Sequence, residues 1–117
     1  MVLVNKLLIV ESHDVNKGKY IEVDVEKKVI KIIFTWHALD SLQDYGFSLE
    51  KAINYLLFAD EIIKWHGGRF IGHRKLGDHL ARVVYEHEKD NITVITFYIS
   101  YADRYFRGGI YEDKILP

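Results

Sequence analysis

The chain has 117 residues, and its 16 Lys+Arg against 17 Asp+Glu leave a formal net charge of −1. This length indicates one domain with one core, and the absence of Cys excludes disulfides, thiolate zinc sites and cysteine nucleophiles. A protein that coats nucleic acid without sequence preference is also excluded, because such a protein requires a clear excess of positive charge. The 49% hydrophobic content instead predicts a compact protein.

The charge is divided unevenly along the chain. Residues 1–63 carry a formal charge of −3, whereas residues 64–117 carry +2 and hold all five Arg. Because the guanidinium group binds phosphate bidentately, an anionic ligand is expected in the second half. The alternative is a solvated surface whose charge happens to be uneven.

The first third of the chain reads as strands. Residues 2–10 are apolar but too short to span a bilayer, and they lack the flanks of a signal peptide, so a cytoplasmic protein without a membrane partner is expected. Residues 1–10 fit either a strand or a short helix. Ile21, Val23 and Val25 alternate with acidic residues, and β-branched residues resume over 29–34, which predicts a hairpin.

Two helices are predicted next. Thr35 can cap a helix that begins at Trp36, and Gly46 suits its end, where a positive φ is needed. Ser48 can cap a second helix, in which Leu49, Ala52, Ile53, Leu56 and Leu57 form an apolar stripe. The short link predicts an αα-hairpin whose apolar face covers a sheet.

Strands return in the second half. A short apolar run at 61–65 ends at Gly67-Gly68, and strands are predicted over 69–75, 80–87 and 92–101, with turns at Gly77-Asp78 and Lys89-Asp90. The last strand is apolar on both faces and should be central. The predicted fold is therefore α+β: an N-terminal β-hairpin, an αα-hairpin and an antiparallel β-meander, with the helices packed on one face.

This order, together with local sequence, resembles the RelE/ParE-like superfamily of small toxin domains. The resemblance is carried by 34–38 (FTWHA), 45–48 (YGFS), 69–77, 80–85 (LARVVY) and 94–100 (VITFYIS). It is closest to members with a Thr-x-His-Ala helix start and covers about 29–105. Residues 1–28 then form an N-terminal extension with the first hairpin strand, and 106–117 a C-terminal tail, within one structural domain overall.

The resemblance implies a RelE-like fold, an antitoxin partner and, in several branches, cleavage of RNA by attack of the ribose 2′-OH on the adjacent phosphate. The ParE branch acts on gyrase instead. Relatives with the same helix start usually carry Arg later on the first helix, where this chain has Ser41, Asp44 and Tyr45.

Cleavage of this kind needs a base, an acid and cations for the charge on phosphorus. The candidate catalytic residues are His37, which would move a proton, and Arg82 and Arg74, which would hold phosphate. The alternative for His37 is a residue that orders the helix start. Counting from the Lys89-Asp90 turn places Arg82 opposite Phe97, where it either faces a cleft or stacks on the ring.

Three further residues are candidates for substrate binding: Arg69, Arg104 and Tyr105. The alternative for the last two is a tail pinned onto the sheet. His66, His73 and His79 invite a metal site, but their spacings of 7 and 6 match no zinc motif. No metal and no cofactor are therefore expected.

Two functions remain open. The first is a RelE-like, metal-independent endoribonuclease of the mRNA interferase type, with RNA as substrate and an antitoxin as partner. The second is a non-catalytic protein-interaction module of the same fold that forms a homodimer or a heterocomplex. The acidic first half, the N-terminal extension and the Arg positions missing from the first helix favour the second. A metal-dependent hydrolase is a weaker third alternative.

Overall fold

The computed structural model describes residues 7–89, 91–112 and 115–116. The strands are β1 (Leu7–Val15), β2 (Gly18–Val25), β3 (Lys28–Thr35), β4 (Glu61–Trp65), β5 (Arg69–Leu76), β6 (His79–Glu88) and β7 (Asn91–Tyr101). The helices are α1 (Trp36–Tyr45), α2 (Leu49–Leu57) and the short α3 (Ala102–Tyr105), with a 3-10 turn at His66–Gly68. Among the described helices, none has the length and apolar character needed to cross a membrane.

All seven strands belong to one sheet of order β1-β2-β3-β7-β6-β5-β4. Neighbouring strands run antiparallel except β3 and β7, which pair in parallel from Lys31–Phe34 to Asn91–Val94. The apolar strand β7 lies at the centre of the sheet, as its sequence predicted. The outer strands are β1 and β4.

The predicted fold class is wrong, because this mixed sheet dominates the molecule. The strands β2 and β3 do not form a separate hairpin. On one side β1 pairs with β2, and on the other side β3 pairs with β7 of the C-terminal meander. Nor do all helices share one face. The helices α1 and α2 pack on one face, whereas Tyr105 of α3 lies over Arg82 on the other. From β3 the chain crosses through α1 and α2 to β4 at the far edge of the sheet. The strands β5, β6 and β7 then follow back toward β3, so all seven strands belong to one sheet.

The helix boundaries follow the predicted caps. The hydroxyl of Thr35 accepts a hydrogen bond from the amide of Ala38 at 3.1 Å, and α1 begins at Trp36. Gly46 ends α1 with φ 73°, a left-handed conformation in which glycine is favoured. Ser48 caps α2 by accepting from the amide of Lys51 at 3.2 Å. These local predictions are confirmed.

Two apolar layers lie on opposite faces of the sheet. The larger one packs α1 and α2 against residues that include Ile32, Phe34 and Phe97. On the other face a smaller cluster joins Ile63, Ile71 and Val84. Because side chains alternate along a strand, residues two positions away from the smaller cluster point to the same face.

A β-bulge in β7 shifts the pairing between β6 and β7. Val84 lies opposite Thr96 but Tyr85 lies opposite Val94, so Ile95 is the extra residue. The Ile95 carbonyl accepts a hydrogen bond from the hydroxyl of Thr35 at 3.1 Å, at the start of α1. The shift places Tyr98 opposite Arg82, and the predicted pairing of Arg82 with Phe97 is wrong.

Parts of three sequence predictions lie outside the described residues. These parts are residues 1–6 of the predicted N-terminal extension, Asp90 of the turn at Lys89-Asp90, and residues 113, 114 and 117 of the predicted tail.

Candidate functional site

Three ionisable side chains are buried in one row across the sheet. Glu61, His73 and Arg82 have exposed fractions of 0%, 0% and 2%. Glu61 of β4 lies directly opposite His73 of β5, which lies directly opposite Arg82 of β6. We call these three residues the buried row. It lies on the face opposite α1 and α2.

Strand alternation and two tight turns place the buried row. Glu61 lies two positions before Ile63, and His73 lies two positions after Ile71. Both isoleucines belong to the smaller apolar cluster, so Glu61 and His73 point to its face of the sheet. The β4–β5 register is symmetric about Gly67, which has φ 76°. The β5–β6 register follows from a two-residue turn at Gly77-Asp78, where Gly77 has φ 65°.

The hydrogen bonds of the buried row fix the proton position on its histidine. Arg82 Nε donates to His73 Nε2 at 3.1 Å. A guanidinium cannot accept, so Nε2 carries no proton. The proton is therefore on Nδ1, which donates to Glu61 Oε2 at 2.6 Å. A neutral imidazole thus links a buried carboxylate to a buried guanidinium.

The surroundings lower two pKa values in the buried row. Burial lowers the pKa of His73, the hydrogen bond to Glu61 opposes this effect, and the Arg82 charge lowers the pKa further. Burial alone would raise the pKa of Glu61, but hydrogen bonds from His73 and from the amides of Arg107 and Gly109 lower it overall. Both directions favour a charged Glu61 beside a neutral His73.

The C-terminal segment covers the buried row. The amide of Arg107 donates to the Glu61 carboxylate at 2.9 and 3.1 Å, and the amide of Gly109 donates at 3.0 Å. The ring of Tyr105 lies 3.7 Å from the Arg82 guanidinium carbon, and the ring of Tyr98 lies 5.1 Å from it. A buried charge is costly unless it is paired, and here Glu61 and Arg82 each have close partners.

The three predicted catalytic residues are not brought together. Arg74 and Arg82 point to opposite faces of the sheet, because Arg74 lies one position after His73 on β5. Arg74 donates to the carbonyl of Phe58 at 2.9 Å, at the end of α2. His37 is exposed at the start of α1, with Nε2 3.2 Å from the hydroxyl of Thr96. Their catalytic roles stay predictions.

The three predicted substrate-binding residues are also dispersed. Arg69 forms an exposed ion pair with Glu86 at 3.5 Å. Arg104 is exposed on α3. Tyr105 stacks on Arg82 while leaving 38% of its own surface exposed.

Sequence reasoning missed Glu61 and considered His73 only as a metal ligand. The signal was the turn geometry, since counting outward from Gly67 and from Gly77-Asp78 aligns Glu61, His73 and Arg82. Among the described residues, no three His, Cys, Asp or Glu side chains come together in an arrangement that could hold a metal ion.

The two outer edges of the sheet differ. On β4 the C-terminal segment covers the edge: the amide of Ile62 donates to the carbonyl of Ile110 at 2.7 Å, and Glu112 donates back at 2.9 Å. On β1, in the described part of the chain, no further strand is paired outside. The apolar side chains of Leu8 and Val10 are 64% and 50% exposed there.

Comparison with known proteins gives no further assignment. No protein-family model matches the chain, and neither the curated proteins nor the solved structures give a match. The resemblance to RelE/ParE-like toxins therefore stays a prediction, and the proposals below depend on the geometry.

Proposed function

We propose that this chain is a protein-interaction module that binds an extended segment of a partner protein along the open edge of β1. The observation that carries the proposal is that edge, with Leu8 and Val10 exposed on a strand of nine residues. The backbone of an outer strand presents unpaired N–H and C=O groups that can pair with another chain.

The composition of β1 supports this function. Natural proteins commonly protect an exposed edge with charged side chains, above all Lys, with Pro, with a β-bulge or with a very short strand. The nine residues of β1, LLIVESHDV, contain neither Lys nor Pro, and their protection consists of the bulge at Val10 and the acidic Glu11 and Asp14. The chain covers its other edge, on β4, with its own C-terminal segment, and a partner segment at β1 would use backbone hydrogen bonds of the same kind.

A bulge sets where the partner would pair. The register of β1 with β2 shifts between Ile9 and Glu11, so Val10 interrupts the edge. We expect backbone pairing along Glu11–Val15, with Leu8 and Val10 providing apolar contacts beyond it. Strand addition then recognises an extended backbone, and alternate side chains of the partner add specificity.

The buried row supports a structural role better than catalysis. Its three side chains bind one another, and Tyr105 with the amides of Arg107 and Gly109 covers them. A substrate phosphate could reach Arg82 only after the C-terminal segment moves. The expected cytoplasmic location and an antitoxin-like partner protein belong to this same proposal, and a homodimer is the alternative occupant that the tests decide.

The test is a selection of displayed ten-residue peptides against the full chain. Peptides are counter-selected on the double variant Leu8→Lys/Val10→Lys, because lysine on an outer strand opposes strand addition. Wild type should bind selected peptides at least tenfold more tightly than the variant. Hydrogen exchange should show the added protection in the amides of β1 and nowhere else.

The matched control is Val29→Lys. Val29 is an exposed apolar residue of β3 that lies opposite Asp24 of β2, so it is not part of the outer strand β1. This variant should bind the selected peptides as wild type does. Equal binding by Leu8→Lys/Val10→Lys, or protection confined to other strands, would overturn the proposal.

A second candidate is metal-independent RNA cleavage, which one observation favours. His37 contacts Thr96, and Thr96 and Tyr98 face the same side of the sheet as Arg82, since they pair with Val84 and Arg82. His37 and the buried Arg82 therefore lie toward one face, and RNA could reach Arg82 only after the C-terminal segment moves. Arg74 does not join them, so this site differs from the predicted cluster.

RNA cleavage is tested with a single-stranded RNA oligonucleotide in EDTA. Wild type should cleave it, and His37→Ala should abolish cleavage while the circular dichroism spectrum stays unchanged. His66→Ala, an exposed histidine in the 3-10 turn, should cleave like wild type. Absence of cleavage by wild type, or equal cleavage by His37→Ala, would reject this site.

A further inference from the structure

We infer that the segment that binds β1 is a basic strand, in which Lys or Arg alternates with apolar residues. This inference rests on the proposed function and adds the chemistry of the partner. It follows from the charges that surround the open edge and from the apolar side chains beside them.

The outer strand itself carries acidic groups without basic ones. Glu11 and Asp14 are exposed on β1 but point to opposite faces of the sheet, because Glu11 pairs with Glu22 and Asp14 pairs with Lys19. The described residues 7–15 contain neither Lys nor Arg, and the alternating Lys residues of the partner are expected on the face of Glu11. A strand added at this edge would place its own side chains directly opposite those of β1. Opposite charges in such cross-strand pairs stabilise a sheet, whereas like charges destabilise it.

The second strand adds to the negative charge. Glu22 of β2 lies directly opposite Glu11, so two carboxylates are neighbours on the face away from α1 and α2. Lys31 of β3 lies opposite Glu22 on the inner side, so the negative charge is concentrated toward β1. Asp24 lies opposite Leu8 on that face, beside the exposed apolar group. A partner side chain that reaches across β1 therefore meets further carboxylates.

A neighbouring tyrosine is hydrogen-bonded to one of these carboxylates. The hydroxyl of Tyr20 donates to Glu22 at 2.6 Å. This hydrogen bond, with burial and the charges of Glu22 and Glu11, raises the pKa of Tyr20 to about 12. Negative charge at this corner thus disfavours a further anion.

The local cations leave this charge accessible. His13 lies 3.0 Å from Glu11, and Lys19 lies 3.1 Å from Asp14. Both pairs are exposed, and exposed ion pairs contribute little and exchange readily. A lysine or arginine of the partner can therefore bind the same carboxylates.

The same charges disfavour a second copy of this chain as the occupant. A second copy paired along Glu11–Val15 would bring its own Glu11 and Asp14 to an edge that already carries both, without any Lys or Arg from its β1. Like charges brought together across paired strands destabilise such a pair. A basic strand meets opposite charges at the same positions.

The test uses three ten-residue peptides in which Val alternates with Lys, Thr or Glu. N-methylation at alternate residues leaves each peptide one pairing edge, which prevents aggregation. Binding to the full chain is measured by isothermal titration at low and high salt. The Lys peptide should bind about three- to tenfold more tightly than the Thr peptide, the Glu peptide should bind most weakly, and the difference should shrink at 0.5 M salt.

Matched variants assign the preference to this edge. Glu11→Gln/Asp24→Asn, which neutralises two carboxylates on the same face, should bring the Lys peptide to the affinity of the Thr peptide, whereas Glu86→Gln, on β6, should leave the preference unchanged. Equal binding of the three peptides would overturn the inference and leave strand addition standing. Binding of none would overturn both, and concentration-dependent dimerisation of the chain alone through β1 would show that a second copy is the occupant.

Discussion

The imidazole of His73 accepts a hydrogen bond from the guanidinium of Arg82, with Nε2 and Nε 3.1 Å apart. This contact requires a neutral histidine, because the accepting nitrogen carries no proton. The buried row is therefore balanced, with one negative and one positive end. It joins β4, β5 and β6 to the C-terminal segment.

Removing the carboxylate should destabilise the protein strongly. Glu61→Ala leaves Arg82 without the balancing charge and leaves the amides of Arg107 and Gly109 without an acceptor. We expect the free energy of unfolding to fall by about 3–5 kcal/mol, measured by urea denaturation at pH 7. Glu86→Ala, which breaks only the exposed pair with Arg69, should change it by less than about 1 kcal/mol.

Stability should fall as the pH decreases from neutral. The folded pKa of His73 lies below its ordinary value of 6.5, so below that pH the unfolded chain binds a proton that the folded chain does not. The folded pKa of Glu61 lies below 4.5 and adds a second loss at lower pH. The free energy of unfolding, measured from pH 8 to pH 4, should decrease first below pH 6.5, because of His73, and again below pH 4.5, because of Glu61.

The variant His73→Gln identifies the histidine step. In this variant the free energy of unfolding should depend less on pH between pH 6.5 and pH 4.5. It should still decrease below pH 4.5. A wild-type stability that stays constant from pH 7.5 to pH 5 would contradict a buried neutral His73.

The ring of Tyr105 should hold the C-terminal segment in place. Tyr105→Ala removes the stacking on Arg82, and we expect a loss of about 1–2 kcal/mol with faster hydrogen exchange at the amides of Arg107 and Gly109. Tyr105→Phe keeps the ring and should behave as wild type does. Unchanged exchange in the alanine variant would show that the segment is held by Glu61 and by the backbone pairing with β4, without Tyr105.

The hydroxyl of Thr35 should contribute more than an ordinary helix cap. It accepts from the amide of Ala38 and donates to the carbonyl of Ile95 at the bulge. Thr35→Val should lower the free energy of unfolding by about 2 kcal/mol. Ser48→Ala, which removes the cap of α2 only, should cost about 1 kcal/mol, and equal losses would argue against the bulge contact.

Local features were predictable because they depend on neighbouring residues. The capping side chains Thr35 and Ser48 and the glycine Gly46 act within a few positions of themselves, so their sequence marks the helix boundaries. The central position of β7 followed from apolar residues on both faces.

Long-range pairing was less predictable. A bulge adds one residue and reverses the faces beyond it, so the count from the turn gave Phe97 instead of Tyr98 opposite Arg82. Hydrophobic alternation does not state which strands become neighbours, and the pairing of β3 with β7 was missed for that reason. Glu61 was not identified as a buried acid, since the amides that make it stable in the interior come from residues about 46 positions later.

The parallel pairing of β3 with β7 also bears on how the chain folds. The antiparallel strands β1–β2–β3 and β4–β5–β6–β7 are each joined by short turns. The parallel pair, in contrast, brings Lys31–Phe34 to Asn91–Val94, about 60 residues away. Closing so long a loop is slow compared with forming local hairpins. We therefore expect two locally formed ribbons to appear first, and the step that zips them into one sheet to set the folding rate.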